Sequence, residues 1–164
     1  MGSLTSGTAP DALTLVVYAL DEMRETTSLL PVTDVARSYR RPWWRNIFFA
    51  FARSRSELSA GFAVQYLDEN LDRARAHWRE AVAHIGDLAT YHSDNELISP
   101  LIAELRDAGF GQVLSQLDDD AIPRPMSETA VHLGRLVDRI RYCERIAQDA
   151  RKTLTLQRMR DRQT

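Results

Sequence analysis

The sequence has few of the residues and runs on which many functions depend. Its one cysteine, Cys143, excludes an internal disulfide, and nothing favours an oxidising compartment. The seven glycines are scattered, so the chain has no glycine-rich loop of the kind that cradles a phosphate. The first residues carry no basic region of a secretory signal, and the apolar run 13–20 is too short to span a membrane. We therefore expect a cytoplasmic protein without a transmembrane segment.

The composition is that of one ordinary globular domain. Hydrophobic residues make up 44% of the 164 residues and charged residues 27%, which argues against both a disordered chain and a membrane protein. Apolar residues recur at helical spacing, and no alternating strand pattern is present. The prediction is an all-α helical bundle that forms a single domain over residues 10–162, preceded by a flexible start over residues 1–9.

Two shorter helices are predicted in the first third of the chain. One begins near Pro10, has a single apolar face and stops at Pro31. The other is a short aromatic helix that begins at Pro42 and includes residues 47–51, which are apolar on nearly every side.

Two long helices are predicted over about residues 56–92 and 127–162. Ser54 and Glu57 have the spacing of a capping box for the first, and Ser127 caps the second. Each helix carries a seam of apolar residues at alternating steps of three and four, the heptad pattern of a coiled coil. The first seam comprises Val64, Leu67, Leu71, Ala74, Trp78, Ala81, Ile85, Leu88 and His92. The second comprises Leu133, Leu136, Ile140, Cys143, Ala147, Ala150 and Leu154.

The two seams have nearly equal length, so we expect the long helices to pack directly on each other as an antiparallel pair. The shorter helices then lie in the groove of this pair, and residues 93–126 form a small helical tip. The net charge is +6 over residues 35–55, −8 over 56–126 and +4 over 127–164. Because the long helices fall in blocks of opposite sign, we expect charge to set their orientation.

The segment 37–55 combines six arginines with six aromatic residues and contains no acid. Three functional hypotheses compete for it: a protein interface, stacking on single-stranded nucleic acid, and an amphipathic helix in a membrane interface. Without an external partner, the aromatic rings fill the bundle and the arginines pair with the acidic helix. The residues predicted to bind a partner are Arg40, Arg41, Trp43, Trp44 and Arg45.

Two Glu–His pairs are candidate metal ligands. Glu80 and His84 have i, i+4 spacing on the first long helix, and Glu128 and His132 repeat it on the second. In an antiparallel pair these side chains converge, and carboxylates with imidazoles suit zinc or iron. The spacing is not the Glu-x-x-His of di-iron bundles, and such a pair on a helix flank is an ordinary surface contact. We therefore predict a protein without a metal or cofactor.

The favoured function is that of a non-enzymatic helical interaction protein, a small accessory or adaptor subunit that assembles with itself or with a larger protein partner. Cys143 lies on the second seam and is interpreted as a small apolar filler, because no neighbouring base is indicated. The first alternative is a nucleic-acid-binding small subunit or regulator that uses residues 37–55. The second is a metal-binding helical-bundle enzyme that uses the two Glu–His pairs.

Overall fold

The computed structural model describes residues 9–30, 50–123 and 126–164; for residues 50–67, 119, 126, 127 and 130 it describes the backbone only. Within these ranges the regular structure is entirely helical, which confirms the all-α prediction. The helices are α1 (Ala12–Ser28), α2 (Ala50–Tyr91), α3 (Ile98–Asp107), α4 (Val113–Gln116) and α5 (Met126–Asp161). Short 3₁₀ turns at Phe110–Gln112 and Asp119–Ala121 flank α4. None of the helices described has an apolar stretch long enough to cross a membrane.

The helix α1 begins where Asp11 supplies a cap. The backbone N–H of Thr14 donates to Oδ1 of Asp11 at 2.7 Å, which satisfies one of the free donors of the first turn. The helix is amphipathic, and its inward face is buried almost completely. That face comprises Leu15, Val16, Ala19, Leu20 and Met23.

The long helix α2 starts earlier than predicted, because its backbone is already helical at Ala50. Residues 50–53 contain neither proline nor glycine, so nothing interrupts the helix before Ser54, and the predicted capping box lies inside it. The predicted short aromatic helix is divided by this boundary: residues 50 and 51 belong to α2, and residues 42–49 lie outside the described part of the chain.

Both predicted seams supply the core. In α2 the buried seam residues are Leu71, Ala74, Trp78, Ala81, Ile85 and Leu88. In α5 they are Leu133, Leu136, Ile140, Cys143, Ala147 and Leu154. Since each seam lies on one face of its helix, this burial fixes which side of α2 and of α5 faces inward.

The helix α1 packs closely against α2 and against α5. It runs antiparallel to α2: the carbonyl of Pro10 lies 2.8 Å from Nε2 of His92, and the carboxylate of Glu22 lies 2.6 Å from Nδ1 of His77. Among the described residues, α2 and α5 do not pack extensively on each other. The prediction of direct pairing between the two long helices is therefore wrong.

The prediction that the two long helices run antiparallel is also wrong. Asp11 contacts Arg158 at 3.4 Å, and the hydroxyl of Thr27 donates to Glu144 at 2.6 Å, so α1 also runs antiparallel to α5. Two helices that are both antiparallel to α1 are parallel to each other. The end of α2 and the end of α5 consequently lie at the same end of the bundle.

The connection between the long helices explains this direction. Asn95 donates to Gln157 at 3.4 Å near the end of α5, whereas Gln116 accepts from Arg139 at 2.7 Å, far down the same helix. Residues 93–123 therefore run back along the bundle and are not the small helical tip that the sequence suggested. A connection of this length returns the chain to its starting level, so the next helix repeats the direction of α2.

Gly109 ends α3 and makes the turn into the 3₁₀ segment that follows. Its φ of 80° is in the left-handed region, where side chains are strained. A Cβ at this position would also lie 2.9 Å from Nε of Arg139. Phe110 is thereby directed onto Trp78, with ring centroids 4.9 Å apart, so the turn carries the returning chain into the core.

Replacing Asp11 with alanine is expected to lower the free energy of unfolding by about 1 kcal/mol, because the α1 cap is lost. The backbone hydrogen bond from Thr14, helped by Arg158, lowers the pKa of Asp11 below its usual value. The charged form is thus favoured by folding, and this contribution is present above about pH 4 and lost as the pH falls through the lowered pKa. Chemical denaturation between pH 2.5 and 7 measures both effects.

The matched control is Asp11→Asn, because asparagine caps a helix about as well but carries no charge. This variant should keep most of the stability at neutral pH while losing the contribution of Asp11 to the pH dependence. Equal losses at neutral pH for the alanine and asparagine variants would show that the cap hydrogen bond does not carry the effect.

Candidate interaction surface

The residues that the sequence favoured for partner binding lie outside the described part of the chain. Arg40, Arg41, Trp43, Trp44 and Arg45 all fall within residues 31–49. Their role in binding a partner stays a prediction.

The two Glu–His pairs do not converge, so the metal hypothesis built on Glu80, His84, Glu128 and His132 is wrong in its geometry. His84 packs on Tyr18 with ring centroids 5.5 Å apart, near the end of α2, whereas His132 lies 3.0 Å from the carbonyl of Gln116, near the start of α5. Because α2 and α5 are parallel, the two imidazoles are separated by about 20 residues of helix, or about 30 Å. Within the described ranges, no three His, Cys, Asp or Glu side chains gather as a metal site.

The histidines instead connect helices to their neighbours. His77 pairs with Glu22 of α1, and both side chains are about two-thirds buried. His92 contacts the carbonyl of Pro10 directly after α2 ends. Each of these contacts joins two elements, which gives the side chains a structural role.

Cys143 is fully buried in the core. Burial raises the pKa of its thiol to about 11, because the charged thiolate loses its hydration there. A cysteine nucleophile needs the opposite, an exposed thiol with a lowered pKa. The side chain therefore fills space on the seam.

Between α3 and α5 lies a small apolar groove of about 170 Å³. Its floor includes Leu101, Ile146 and Leu154, and its polar neighbours are Glu104, Asp149 and Thr153. A general base beside a nucleophile, or a set of donors aimed at one point, is what an active site would require. The polar side chains that line this groove are two carboxylates and a hydroxyl.

The outward face of α5 carries a second run of residues at alternating steps of four and three, which we call the outer stripe. Its apolar members are exposed to between 50% and 56%. They are Val131, Tyr142, Leu156 and Met159. Between them lie five exposed charged residues, Arg135, Asp138, Arg145, Asp149 and Lys152.

The outer stripe lies opposite the buried seam of the same helix. The guanidinium of Arg145 lies over the ring of Tyr142 at 5.3 Å, and Lys152 pairs with Asp149 at 3.2 Å. Both contacts are between residues three apart in α5, so they lie within the stripe and leave it exposed to solvent. The stripe thus leaves exposed apolar and charged groups along most of the length of α5.

Sequence reasoning missed this surface, although a signal for it was present. The steps from Val131 to Met159 alternate between four and three as regularly as those of the buried seam. Since five of the nine positions are charged, the run resembles an ordinary solvated face when hydrophobicity alone is considered. Comparison of the chain with protein-family models, with curated proteins and with solved structures gave no match.

Proposed function

We propose that this chain is a non-enzymatic cytoplasmic interaction protein, a small helical accessory or adaptor subunit that assembles with itself or with a larger protein partner. The observation that carries the proposal is the outer stripe of α5. Tyrosine, methionine and arginine are among the residues enriched at protein interfaces, and the stripe contains all three. Its exposed apolar side chains alternate with charged residues along one face of α5, and this combination supports a role in binding another protein.

The manner of binding follows from the spacing. A helix face with heptad steps receives another helix, whose side chains enter the spaces between successive turns. A coiled-coil contact between α5 and a partner helix is therefore part of the proposal. The segment 37–55 would add a second contact, since Trp and Arg dominate interface hot spots, through Arg40, Arg41, Trp43, Trp44 and Arg45.

Native mass spectrometry of the protein purified from its own host tests this proposal. We expect a mass above 18.7 kDa, by a multiple of the chain or by the mass of a second protein. Leu156→Lys should abolish the added mass, because a charge is placed in the exposed apolar row, while the helical circular dichroism stays unchanged. The matched control is Val82→Lys on α2, where the replaced side chain is also partly exposed, at 38%, but lies outside the stripe.

Two other results would contradict the proposal. A mass of the monomer alone, at all concentrations and in all host preparations, would contradict the proposed assembly. Co-purified nucleic acid whose binding weakens steeply with rising salt would favour the nucleic-acid alternative, because phosphate contacts release counterions.

A further inference from the structure

We infer that the partner of the outer stripe is a second copy of this chain, bound antiparallel with its two-fold axis at Tyr142. This inference rests on the proposed function, since it names the partner of the same surface. The juxtaposition that carries it is the order of charges on either side of Tyr142. Arg135 and Asp149 lie seven residues before and after it, and Asp138 and Arg145 lie four before and three after.

A two-fold axis at Tyr142 brings each position before the axis level with the corresponding position after it on the other copy. Arg135 then faces Asp149, and Asp138 faces Arg145. The two-fold axis repeats each contact, so four ion pairs form between the two copies. The two Tyr142 rings meet on the axis. Complementary charges across a helix pair set its orientation and register in this way.

Other arrangements of the same stripe are less favourable. A parallel pair in register places Arg135, Asp138 and Arg145 each against its own copy, which is repulsive at every position. An antiparallel pair with its axis at Arg145 places two guanidinium groups at the centre. The charge order therefore favours the antiparallel register with its axis at Tyr142 over both of these arrangements.

The length of α5 agrees with this register. The helix runs from Met126 to Asp161, so its midpoint falls within two residues of Tyr142, and two copies overlap along nearly the whole helix. At each end Val131 of one copy comes within one helical turn of Leu156 of the other. An overlap of about 50 Å and a helix width of about 12 Å bury about 1,200 Å² in total, the lower limit of a stable interface.

Engineered cysteines test the register directly. Tyr142→Cys places the new thiol on the axis, so mild oxidation should join two chains into one species of about twice 18.7 kDa. Arg135→Cys is the matched control on the same stripe, because its two copies lie about 21 Å apart in this register. Mixing Arg135→Cys with Asp149→Cys protein should restore cross-linking between unlike chains. Native Cys143 is buried and leaves this readout undisturbed.

Charge reversal supplies an independent test. Arg145→Asp places carboxylates opposite Asp138 on both sides of the axis. Sedimentation equilibrium should show that the dissociation constant of the dimer rises at least about tenfold. The double variant Asp138→Arg with Arg145→Asp should recover most of the wild-type affinity. Because positions 138 and 145 are seven residues apart, they do not pair within one helix, and the recovery reports contact between chains.

The failures of the two proposals are distinguishable. Cross-linking of Arg135→Cys to itself, or its absence for Tyr142→Cys at dimer-forming concentration, overturns the antiparallel dimer. A monomeric chain that still holds a host protein in a complex abolished by Leu156→Lys overturns the dimer and leaves the proposed function intact. A monomeric chain without such a complex overturns both.

Discussion

Trp78→Ala is expected to lower the free energy of unfolding by about 3–5 kcal/mol. The side chain is fully buried in α2 and packs on Phe110 of the returning connection, with ring centroids 4.9 Å apart. Its removal takes a large apolar surface out of the core and leaves a cavity that the long helices cannot close. Since domains of this size are stable by about 5–15 kcal/mol, the loss is a large share of the total.

Thermal and urea denaturation followed by circular dichroism measure this effect, and the melting temperature should fall by about 10 °C. The matched control is Tyr91→Ala on the same helix, where the ring is 59% exposed and the expected change is within about 0.5 kcal/mol. Equal losses for the two variants would contradict the placement of Trp78 in the core.

Trp78→Phe separates the bulk of the ring from its polar group. In the described part of the structure no acceptor meets the buried indole N–H of Trp78, and an unpaired buried donor is unfavourable by about 1–3 kcal/mol. Phenylalanine removes that donor and keeps much of the volume, so it should be destabilising by far less than alanine. A phenylalanine variant as unstable as the alanine variant would show that the N–H has a partner.

The thiol of Cys143 is expected to react at least about 100-fold more slowly in the folded protein than in the unfolded chain at pH 8. Burial raises its pKa to about 11, so about one thiol in a thousand is ionised at pH 8, compared with about a quarter at the ordinary pKa of about 8.5. The thiolate is the reactive form, and burial also blocks the reagent. Absorbance after addition of an aromatic disulfide reagent, with and without guanidinium chloride, measures the ratio.

The same shift makes the protein less stable in alkali. The neutral thiol is favoured by folding, so its contribution is complete below about pH 8.5 and is lost as the pH rises towards about 11. Because the chain has a single cysteine, the unfolded protein is its own control. A folded protein that reacts as fast as the unfolded one would contradict the burial of Cys143.

Periodicity predicted the buried faces of the long helices, because burial of an apolar seam depends on local spacing alone. Trp78 and Leu88 in α2, and Leu133 and Ile140 in α5, are buried as the seams indicated. Helix starts were less predictable: a capping box at Ser54 is a favourable beginning, but the residues before it are equally able to continue a helix.

The direction of α5 could not be predicted from its own residues. It depends on how far the connection travels, and the contacts of Asn95 and Gln116 that fix this are between residues with no recognisable pairing signal. The metal hypothesis failed for the same reason, because His84 and His132 converge only if the long helices are antiparallel. The outer stripe was missed for a different reason, because charges interrupt its apolar residues.

The position of α1 between α2 and α5 determines how the protein folds during synthesis. The contacts of α1 with α5 join residues 117 and 124 positions apart, at Thr27–Glu144 and Arg24–Gln148. Contacts so distant along the chain slow folding, because a long loop has to close before they form. While the ribosome is still making α5, α1 and α2 can pair as a hairpin with the returning connection, whose Phe110 packs on Trp78, but the apolar face that α5 covers is open to solvent. The nascent chain therefore exposes an apolar surface until α5 has emerged, and a chaperone can bind it in that interval.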